Sequence, residues 1–429
     1  MCSFEKNRGR LEYYLSFFKD EMTESLLKFW MSRCLDRENG GYLNCFTNDG
    51  SRLVSKDKYT WSQGRFLWMF SRLAMTESTL FDTEQRQIFL SYAESGKRFL
   101  EEHVLDSKNP PTCVFLMDGQ GSPKAVEGYE GYDLSILADC FVVMGFAAYA
   151  RSAHDHGAYG FARSLFESVW TRYESGEYRS LPYPVPHGYI THTKPMLLTN
   201  VLCELYRAAE SFDKIYLPTL KERLAACHRE VFEVFDRDGA VVEAVRVDGA
   251  PDELFENHIN PGHTLEDMWF QYEASAILGD GRYEKEIPRV MKNTLSLGWD
   301  ADFGGFLHFV PCDGLGVINS DGALDGEPQK RLVRDDFGSK LWWVHSEAMY
   351  SSLISYFNTG DEEFFDWFER IFDYTYKTFP NPDKTVGEWI QIRTREGRPQ
   401  EKVVALPVKD PYHIMRNVLL IIELLEKKL

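Results

Sequence analysis

The chain has 429 residues, of which 44% are hydrophobic and 14% aromatic, and its formal net charge at pH 7 is −18. A chain so rich in apolar and aromatic side chains is not intrinsically disordered. Its acidic balance argues against a nucleic-acid partner and against an anionic membrane surface.

The cysteines and the first residues indicate a cytoplasmic protein. The eight cysteines are scattered and include no CxxC pair, which disfavours a zinc knuckle or a redox motif. The N-terminal residues are charged and lack the apolar core of a signal peptide. The longest apolar run, Cys140–Ala150, is too short to span a bilayer. We therefore expect a reduced, soluble protein in the cytoplasm.

Twelve amphipathic stretches with helical periodicity follow one another along the chain, separated by short segments rich in Gly, Asp, Asn and Pro. In chain order they cover residues 9–34, 61–76, 84–104, 131–152, 158–174, 193–213, 215–235, 263–278, 281–298, 338–357, 361–378 and 411–428. Three intervening segments, at 40–50, 236–242 and 387–397, predict small β-hairpins. No linker divides the series, so we expect one catalytic domain over residues 1–429.

The twelve stretches pair into helical hairpins, one per roughly 70 residues. This arrangement predicts an all-α fold, an (α/α)6 barrel in which six inner helices are ringed by six outer ones, with short β-hairpin loops. An open α-solenoid is the competing architecture. We favour the barrel because polar residues cluster at the start of every second stretch.

The starts of the even-numbered stretches carry polar and aromatic side chains that the odd-numbered stretches lack. All inner helices of such a ring run in the same direction, so their starts meet at one mouth. The residues at these starts are Arg65, Tyr132, His263, Glu266, Trp342, Trp343, Glu347, His413 and Arg416. We predict a functional site at this mouth.

Two histidines in this set are candidate general bases. His263 follows the helix-start signal at residues 260–262, and Glu266 shares its helix face three positions later. His413 and Arg416 repeat that spacing on the last helix. An imidazole at a helix start is available as a general base near neutral pH. Each histidine could instead serve as a simple helix cap.

Aromatic residues near the mouth are candidates for stacking on the apolar faces of a sugar ring. They are Trp61, Trp68, Trp342, Trp343 and Trp389. Each one taken alone could equally be a core residue. No His and Cys set has metal-ligand spacing, so we expect no metal site. A two-carboxylate glycosidase stays open because Asp and Glu are abundant.

In five blocks the sequence resembles the N-acylglucosamine 2-epimerase family, and the resemblance runs along the whole chain. The blocks are residues 59–73, 260–270, 343–349 and 387–389, and Tyr412-His413 with Arg416. The family adopts an (α/α)6 barrel, in agreement with the helix count.

The resemblance implies cofactor-free chemistry at carbon 2 of an aldose. His263 and His413 match the two family bases that remove and return the C2 proton through an enediolate. Glu266 is then expected to orient one of them, and Arg65 to stabilise the oxyanion. The predicted substrate contacts are Trp61, Trp68, Tyr132, Trp342, Trp343, Glu347, Trp389 and Arg416.

The same resemblance leaves the substrate and partners open. The leading substrate pair is N-acetylglucosamine and N-acetylmannosamine. Disaccharide 2-epimerases carry a third histidine inside the sixth helix, whereas residues 194–205 contain none and His192 lies just before them. The sequence is also compatible with an aldose–ketose isomerase of the mannose/fructose type, a glycoside hydrolase or a non-enzymatic binding protein. Some members of the family respond to ATP as a non-hydrolysed effector, and homodimers are common in the family; the sequence is silent on both.

Overall fold

The computed structural model describes residues 3–314 and 322–429. In these ranges it has fifteen α-helical segments, namely α1 (Ser3–Asp20), α2 (Lys28–Arg33), α3 (Thr60–Met75), α4 (Thr83–His103), α5 (Ile136–Ala153), α6 (His156–Ser175), α7 (Thr193–Phe212), α8 (Leu217–Glu230), α9 (Glu253–Glu256), α10 (Pro261–Leu278), α11 (Glu286–Gly298), α12 (Pro328–Asp336), α13 (Trp342–Thr359), α14 (Glu362–Thr378) and α15 (Tyr412–Lys428). A π-helical turn, Glu21–Leu27, joins α1 to α2, and a second, Val231–Phe235, extends α8.

Six of these helices form a closed inner ring. In the order α3, α5, α7, α10, α13 and α15, each packs against the next, and α15 packs back against α3. The outer helices α4, α6, α8, α11 and α14 each pack on the inner helix that precedes them, and α1 packs on α15. The predicted (α/α)6 barrel is therefore confirmed, and contact between the first and last inner helices excludes an open solenoid.

The inner helices are buried over more of their surface than the outer helices. Every residue of α5 from Ile136 to Ala150 is buried, whereas α4 buries only one stripe of side chains. A helix that is apolar all round belongs in a core. By length and composition alone α5 is apolar enough to cross a membrane, but 83% of it is buried inside the barrel.

Two glycines let α3 and α5 approach closely beside the mouth. A Cβ on Gly64 would lie 2.5 Å from the carbonyl of Phe141, and a Cβ on Gly145 would lie 2.7 Å from the oxygen of Gly64. Real Cβ atoms do not make such contacts, so only glycine fits at either position. This packing sets Arg65, the next residue along α3, beside the ring of Phe141.

Short strands tie the loops at the mouth together. They are β1 (Lys58–Tyr59), β2 (Leu105–Lys108), β3 (Pro111–Cys113), β4 (Leu116–Met117), β5 (Tyr189–Thr191), β6 (Asp236–Arg237), β7 (Ala240–Val241), β8 (Ala244–Arg246), β9 (His258–Ile259), β10 (Val310–Pro311), β11 (Lys340–Leu341) and β12 (Ile392–Arg393). They form two-stranded antiparallel sheets that pair β1 with β4, β2 with β3, β5 with β8, β6 with β7, β9 with β10 and β11 with β12.

The predicted hairpins are confirmed only in part. The segment at 236–242 forms the β6–β7 hairpin. Residues 40–50 instead take part in isolated bridges, and β12 in the segment 387–397 pairs with β11. Strands β1, β5, β9 and β11 end at or just before the first residue of an inner helix. Pairing between loops therefore fixes the starts of those helices, which local turn signals do not reveal.

Candidate active site

A cavity of about 1000 Å³, its opening included, lies at the mouth of the barrel. Each inner helix contributes side chains from its first three turns, and loops complete the wall. The lining residues are Trp61, Ser62, Arg65, Leu137, Phe141, Pro182, Tyr183, Thr193, Met196, Leu197, Asn200, His263, Glu266, Phe270, Trp342, Trp343, Ile392, Val404, Ala405, Leu406, Val408, Asp410, Tyr412, His413 and Arg416. Since these are helix starts, the positive ends of the helix dipoles converge on the cavity.

Most of the predicted site residues line this cavity. They are Trp61, Arg65, His263, Glu266, Trp342, Trp343, His413 and Arg416. Glu347 lies outside the wall but is hydrogen-bonded to His413, so it belongs to the site without facing its interior.

Three residues predicted to contact substrate lie elsewhere. Trp68 is buried two turns below Trp61, where its ring packs edge-on against Tyr412 with centroids 5.1 Å apart. Tyr132 is 38% exposed, because α5 begins only at Ile136 and leaves it in the preceding loop. Trp389 is fully buried, and its Nε1 donates to Glu21 Oε1 at 2.8 Å. Both tryptophans are buried core residues that do not line the cavity, so the structure does not place them where the predicted contact with substrate requires.

His413 is held by a carboxylate that two other side chains also bind. Its Nδ1 lies 2.7 Å from Glu347 Oε1, and Arg416 Nη2 lies 2.5 Å from the same oxygen. Trp269 Nε1 donates to Glu347 Oε2 at 3.0 Å. Burial alone would raise the pKa of the Glu347 carboxyl, but the charge of Arg416 and the bond from His413 outweigh it and hold the pKa at about 2. An ionised Glu347 accepts the proton of Nδ1–H, which assigns the tautomer with Nε2 as the free base.

His263 is held in the same way by a different carboxylate. Its Nδ1 lies 2.9 Å from Oε2 of Glu243, which stands between β7 and β8. Burial would raise the pKa of the Glu243 carboxyl, but His263 and His192 hold it well below its usual range. Glu243 is therefore ionised, and Nε2 of His263 is again the base. Glu266, which was predicted to orient one of the two histidines and shares a helix face with His263, bonds to Arg416 at 2.5 Å.

Glu266 belongs to the environment of His413, although it shares a helix with His263. Its Oε1 lies 3.7 Å from His413 Nδ1, and it shares the guanidinium of Arg416 with Glu347. Glu266, Glu347 and His413 are the one set of described side chains whose ligand atoms are close enough to hold a single metal ion. Arg416 already bonds to both carboxylates, so this set fits a guanidinium instead of a metal.

The ring of Trp343 lies close to both histidines. The ring centroid of Trp343 lies 5.2 Å from that of His263 and 5.6 Å from that of His413. Glycine is needed at position 262 for this arrangement, because a Cβ on Gly262 would lie 2.3 Å from the Trp343 ring. Both imidazoles therefore border one aromatic wall.

Arg65 presents a cation to the same cavity. Its guanidinium lies over the rings of Phe141, Trp61 and Tyr412, at 4.1, 4.9 and 4.8 Å from their centroids. Nη1 lies 3.4 Å from Asp410 Oδ1, while the buried Nε has no hydrogen-bond partner among the described residues. An aromatic cage with a single, long carboxylate contact leaves donors of Arg65 for a ligand oxygen.

Sequence reasoning missed Glu243 and Asp410 as members of the site. Glu243 lies on an irregular connection, where no periodicity distinguishes one carboxylate from the many others in the chain. Asp410 stands just before α15 and was within reach of prediction, since it adjoins the block containing His413. His192, which precedes the sixth predicted helix, is fully buried behind the wall.

Comparison with known proteins finds relatives along nearly the whole chain. The sequence model of the N-acylglucosamine 2-epimerase (GlcNAc 2-epimerase) family matches residues 41–417. The N-acylglucosamine 2-epimerase of Bos taurus is 28% identical over 97% of this chain and 93% of its own length. That of Mus musculus is 27% identical over 96% of this chain and 92% of its own length.

Solved structures share the fold. The cellobiose 2-epimerase of Spirochaeta thermophila superposes with a TM-score of 0.77 over 98% of this chain and 99% of its own, at 20% identity. Fold, paired histidines and relatives together define a sugar 2-epimerase, which is an isomerase. The family match covers most of the chain, and the chain accordingly belongs to the N-acylglucosamine 2-epimerase family.

Proposed function

We propose that this protein interconverts N-acetylglucosamine and N-acetylmannosamine, with one of His263 and His413 removing the C2 proton and the other returning a proton to the opposite face. The observation that carries the proposal is the matched state of the two imidazoles. Each lines the cavity, and each donates Nδ1–H to an ionised carboxylate, which keeps Nε2 available as a base. The mammalian relatives named for N-acylglucosamine support the choice of sugar.

The reaction needs the sugar in its open-chain form, in which C2 lies next to the aldehyde. Nε2 of one histidine removes the C2 proton, and the electron pair of that C–H bond forms a C1=C2 double bond while the carbonyl oxygen becomes negative. The other histidine starts the reaction with a proton on both ring nitrogens; it donates its Nε2–H to the opposite face of C2, and the carbonyl is restored. The two histidines have then exchanged protonation states. No redox step occurs, and the scheme requires neither a metal nor a cofactor.

Arg65 and the helix starts stabilise the enolate in this scheme. The negative charge develops on the C1 oxygen, so a fixed cation beside that atom lowers the barrier. Arg65 has donors to offer and is immobilised by three aromatic rings. The converging helix N-termini add positive potential at the same end of the barrel.

Two observations favour a monosaccharide over a disaccharide. The loop before α15 contributes four apolar side chains to the cavity wall, Val404, Ala405, Leu406 and Val408, and apolar side chains offer no hydrogen bond to the hydroxyls of a second sugar ring. His192, the nearest histidine to the start of α7, is fully buried and does not line the cavity. In the described part of the chain, the cavity wall therefore offers two histidines to the sugar and not three.

Proton NMR in D₂O tests the proposal. N-acetylglucosamine, N-acetylmannosamine, mannose and cellobiose are incubated separately with the protein, and the C2–H signal and products are followed. We expect deuterium at C2 and formation of the other epimer for the N-acetyl pair. A ketose from mannose would identify an aldose–ketose isomerase, and epimerised cellobiose a disaccharide enzyme. Absence of C2 exchange in every sugar would favour a binding protein, with the His263→Asn/His413→Asn double variant as the blank.

A further inference from the structure

His192 is an imidazole enclosed between two carboxylates behind the cavity wall. Its Nδ1 lies 3.3 Å from Glu243 Oε1, and its Nε2 lies 2.8 Å from Asp267 Oδ2. All three side chains are buried. The other oxygen of Glu243 is the one that accepts from His263. A continuous hydrogen-bonded chain therefore runs from His263 through Glu243 and His192 to Asp267.

Between two carboxylates that act as acceptors, His192 satisfies both contacts only when it carries a proton on both nitrogens. A neutral imidazole has one N–H, so one of its two carboxylate contacts would then join two acceptors. The imidazolium donates to both. Burial lowers the pKa of this imidazole, but the bonds to Asp267 and Glu243 outweigh burial and raise the pKa to about 9. His192 is thus a buried cation at neutral pH.

Backbone hydrogen bonds hold His192 beside Glu243. His192 immediately precedes α7, and its backbone N–H donates to the Glu243 carbonyl at 3.0 Å. Glu243 N–H in turn donates to the carbonyl of His258, just before α10. Asp267 lies on α10 one turn after His263, and Gln271 Nε2 fixes its second oxygen at 2.6 Å. The chain of side chains leaves α10 at His263 and returns to it at Asp267.

We propose that His192 is a positioning residue for His263. By holding Glu243 through one oxygen, it turns the other oxygen toward Nδ1 of His263 and so keeps Nε2 of His263 unprotonated and facing the cavity. The inference rests on the proposed role of His263 as a base, and it adds a residue that never touches the sugar. Without His192, Nδ1–H of His263 would be the remaining side-chain donor to the Glu243 carboxylate among the described residues.

The tautomer of His263 is the direct test, and it needs no sugar. Long-range ¹H–¹⁵N correlation spectra of protein labelled with ¹⁵N-histidine distinguish protonated from free ring nitrogens, and the His263→Asn variant assigns the signal. We expect Nδ1–H with a free Nε2 in the unmodified protein and a mixture of tautomers in His192→Gln. An unchanged His263 signal in His192→Gln would overturn the proposal.

His345 supplies a matched control. It too is fully buried at the first turn of an inner helix, but Nδ1 donates to the Leu341 carbonyl and Nε2 accepts from Phe306 N–H. It has no contact with Glu243 in the described structure. His345→Gln should leave the His263 signal unchanged while causing comparable loss of stability. A shifted His263 signal in this variant would mean that the loss of any buried histidine disturbs the site. That result would also contradict the proposal.

Deuterium exchange separates positioning from general damage. His263 acts on one face of C2, so His192→Gln should slow C2 exchange in the same epimer that His263→Asn fails to exchange. A general base contributes about 10²–10⁴-fold to the rate, and we expect loss of His192 to remove about tenfold or more of that factor. Exchange in the other epimer should change little. Equal slowing in both epimers, or slowing in neither, would refute a positioning role.

A second variant guards against loss of folding. Asp267→Asn keeps the shape of the side chain and leaves His192 in place, but it removes one of the two charges that bind His192. We expect Asp267→Asn to slow C2 exchange in the same epimer as His192→Gln does, but by a smaller factor. If the unmodified protein exchanges no C2 proton in either sugar, the proposed function fails, whereas the tautomer spectra still decide the role of His192.

Discussion

His413 and His263 both donate Nδ1–H to a buried carboxylate, but the cations behind those carboxylates differ. Glu347, the partner of His413, is bound by the guanidinium of Arg416. Glu243, the partner of His263, is bound by the imidazole of His192. A guanidinium remains charged at any physiological pH, whereas an imidazolium titrates. One half of the site therefore keeps its charge balance permanently, and the other half keeps it only while His192 is protonated.

The two histidines also differ in their access to water. The side chain of His263 is 19% exposed and that of His413 is 6% exposed. A proton taken up by the more exposed imidazole exchanges with solvent more readily. The difference implies that deuterium enters C2 faster, relative to epimerisation, when His263 is the abstracting base.

The largest expected effect is loss of either base. His263→Asn and His413→Asn should each lower kcat/KM for epimerisation by about 10²–10⁴-fold, because each removes one general base. Each variant should still exchange the C2 proton of the one epimer that faces the remaining histidine. Proton NMR of both epimers in D₂O measures epimerisation and exchange together.

Opposite selectivity of the two variants is the decisive feature. If both variants lost exchange in the same epimer, both histidines would serve one face of C2 and the two-base assignment would fail. Full activity in either variant would have the same consequence. Trp68→Phe, which changes a buried aromatic residue outside the cavity, is the comparison for unspecific effects.

The two carboxylates should differ in their effect on stability. Glu347→Gln leaves the buried guanidinium of Arg416 with Glu266 alone, and removing one partner of a buried ion pair costs about 3–5 kcal/mol. Glu243→Gln should cost less, because His192 keeps Asp267 and can release its proton. Urea unfolding at pH 7 measures both losses. Equal losses would show that the titratable and the permanent cation are equivalent, and the contrast between the two halves of the site would disappear.

The sequence predicted the half of the site that lies on helices. His263, Glu266, His413 and Arg416 follow from helix starts and three-residue spacing, and the barrel follows from twelve amphipathic stretches. The partner of His263 does not, because Glu243 lies on the irregular connection between β7 and β8, and β8 pairs with β5, a strand far away in the chain.

The local sequence pattern also did not predict which charged side chains pair with each other. Spacing on α10 predicted Glu266 as the partner of a histidine, and the structure assigns that carboxylate to Arg416, 150 positions later. Trp389 was a predicted substrate contact, but its indole N–H bonds to Glu21 near the N-terminus. Long-range contacts of this kind follow from ring closure, which brings the first and last helices together.

The pH dependence of stability should reveal His192. The folded protein raises the pKa of His192 from 6.5 to about 9, so its contribution is complete below pH 6.5 and is lost as the pH rises through 9. The interval corresponds to roughly 3 kcal/mol. The groups facing His192 are Glu243 and Asp267, with the ring of Phe235 alongside.

Urea unfolding of the protein and of His192→Gln between about pH 6 and pH 10, on the order of one measurement per half pH unit, isolates this contribution. The stability advantage of the unmodified protein should shrink as the pH rises across that range. A constant difference would mean that His192 is not the titrating cation. Glu347→Gln, whose partner is a guanidinium, should give a difference that does not follow this curve.

The smallest expected effect belongs to the wall that both histidines share. Trp343→Phe keeps an aromatic ring but loses part of the contact with each imidazole, and aromatic contacts contribute about 0.5–1.5 kcal/mol. Exchange should therefore slow several-fold in both epimers alike, unlike the selective loss expected for the histidine variants. Since Trp343 lies 5.2 Å from His263 and 5.6 Å from His413 by ring centroids, neither side is favoured by distance. Slowing confined to one epimer would show that Trp343 serves a single histidine, and the asymmetry of the site would then extend to its walls.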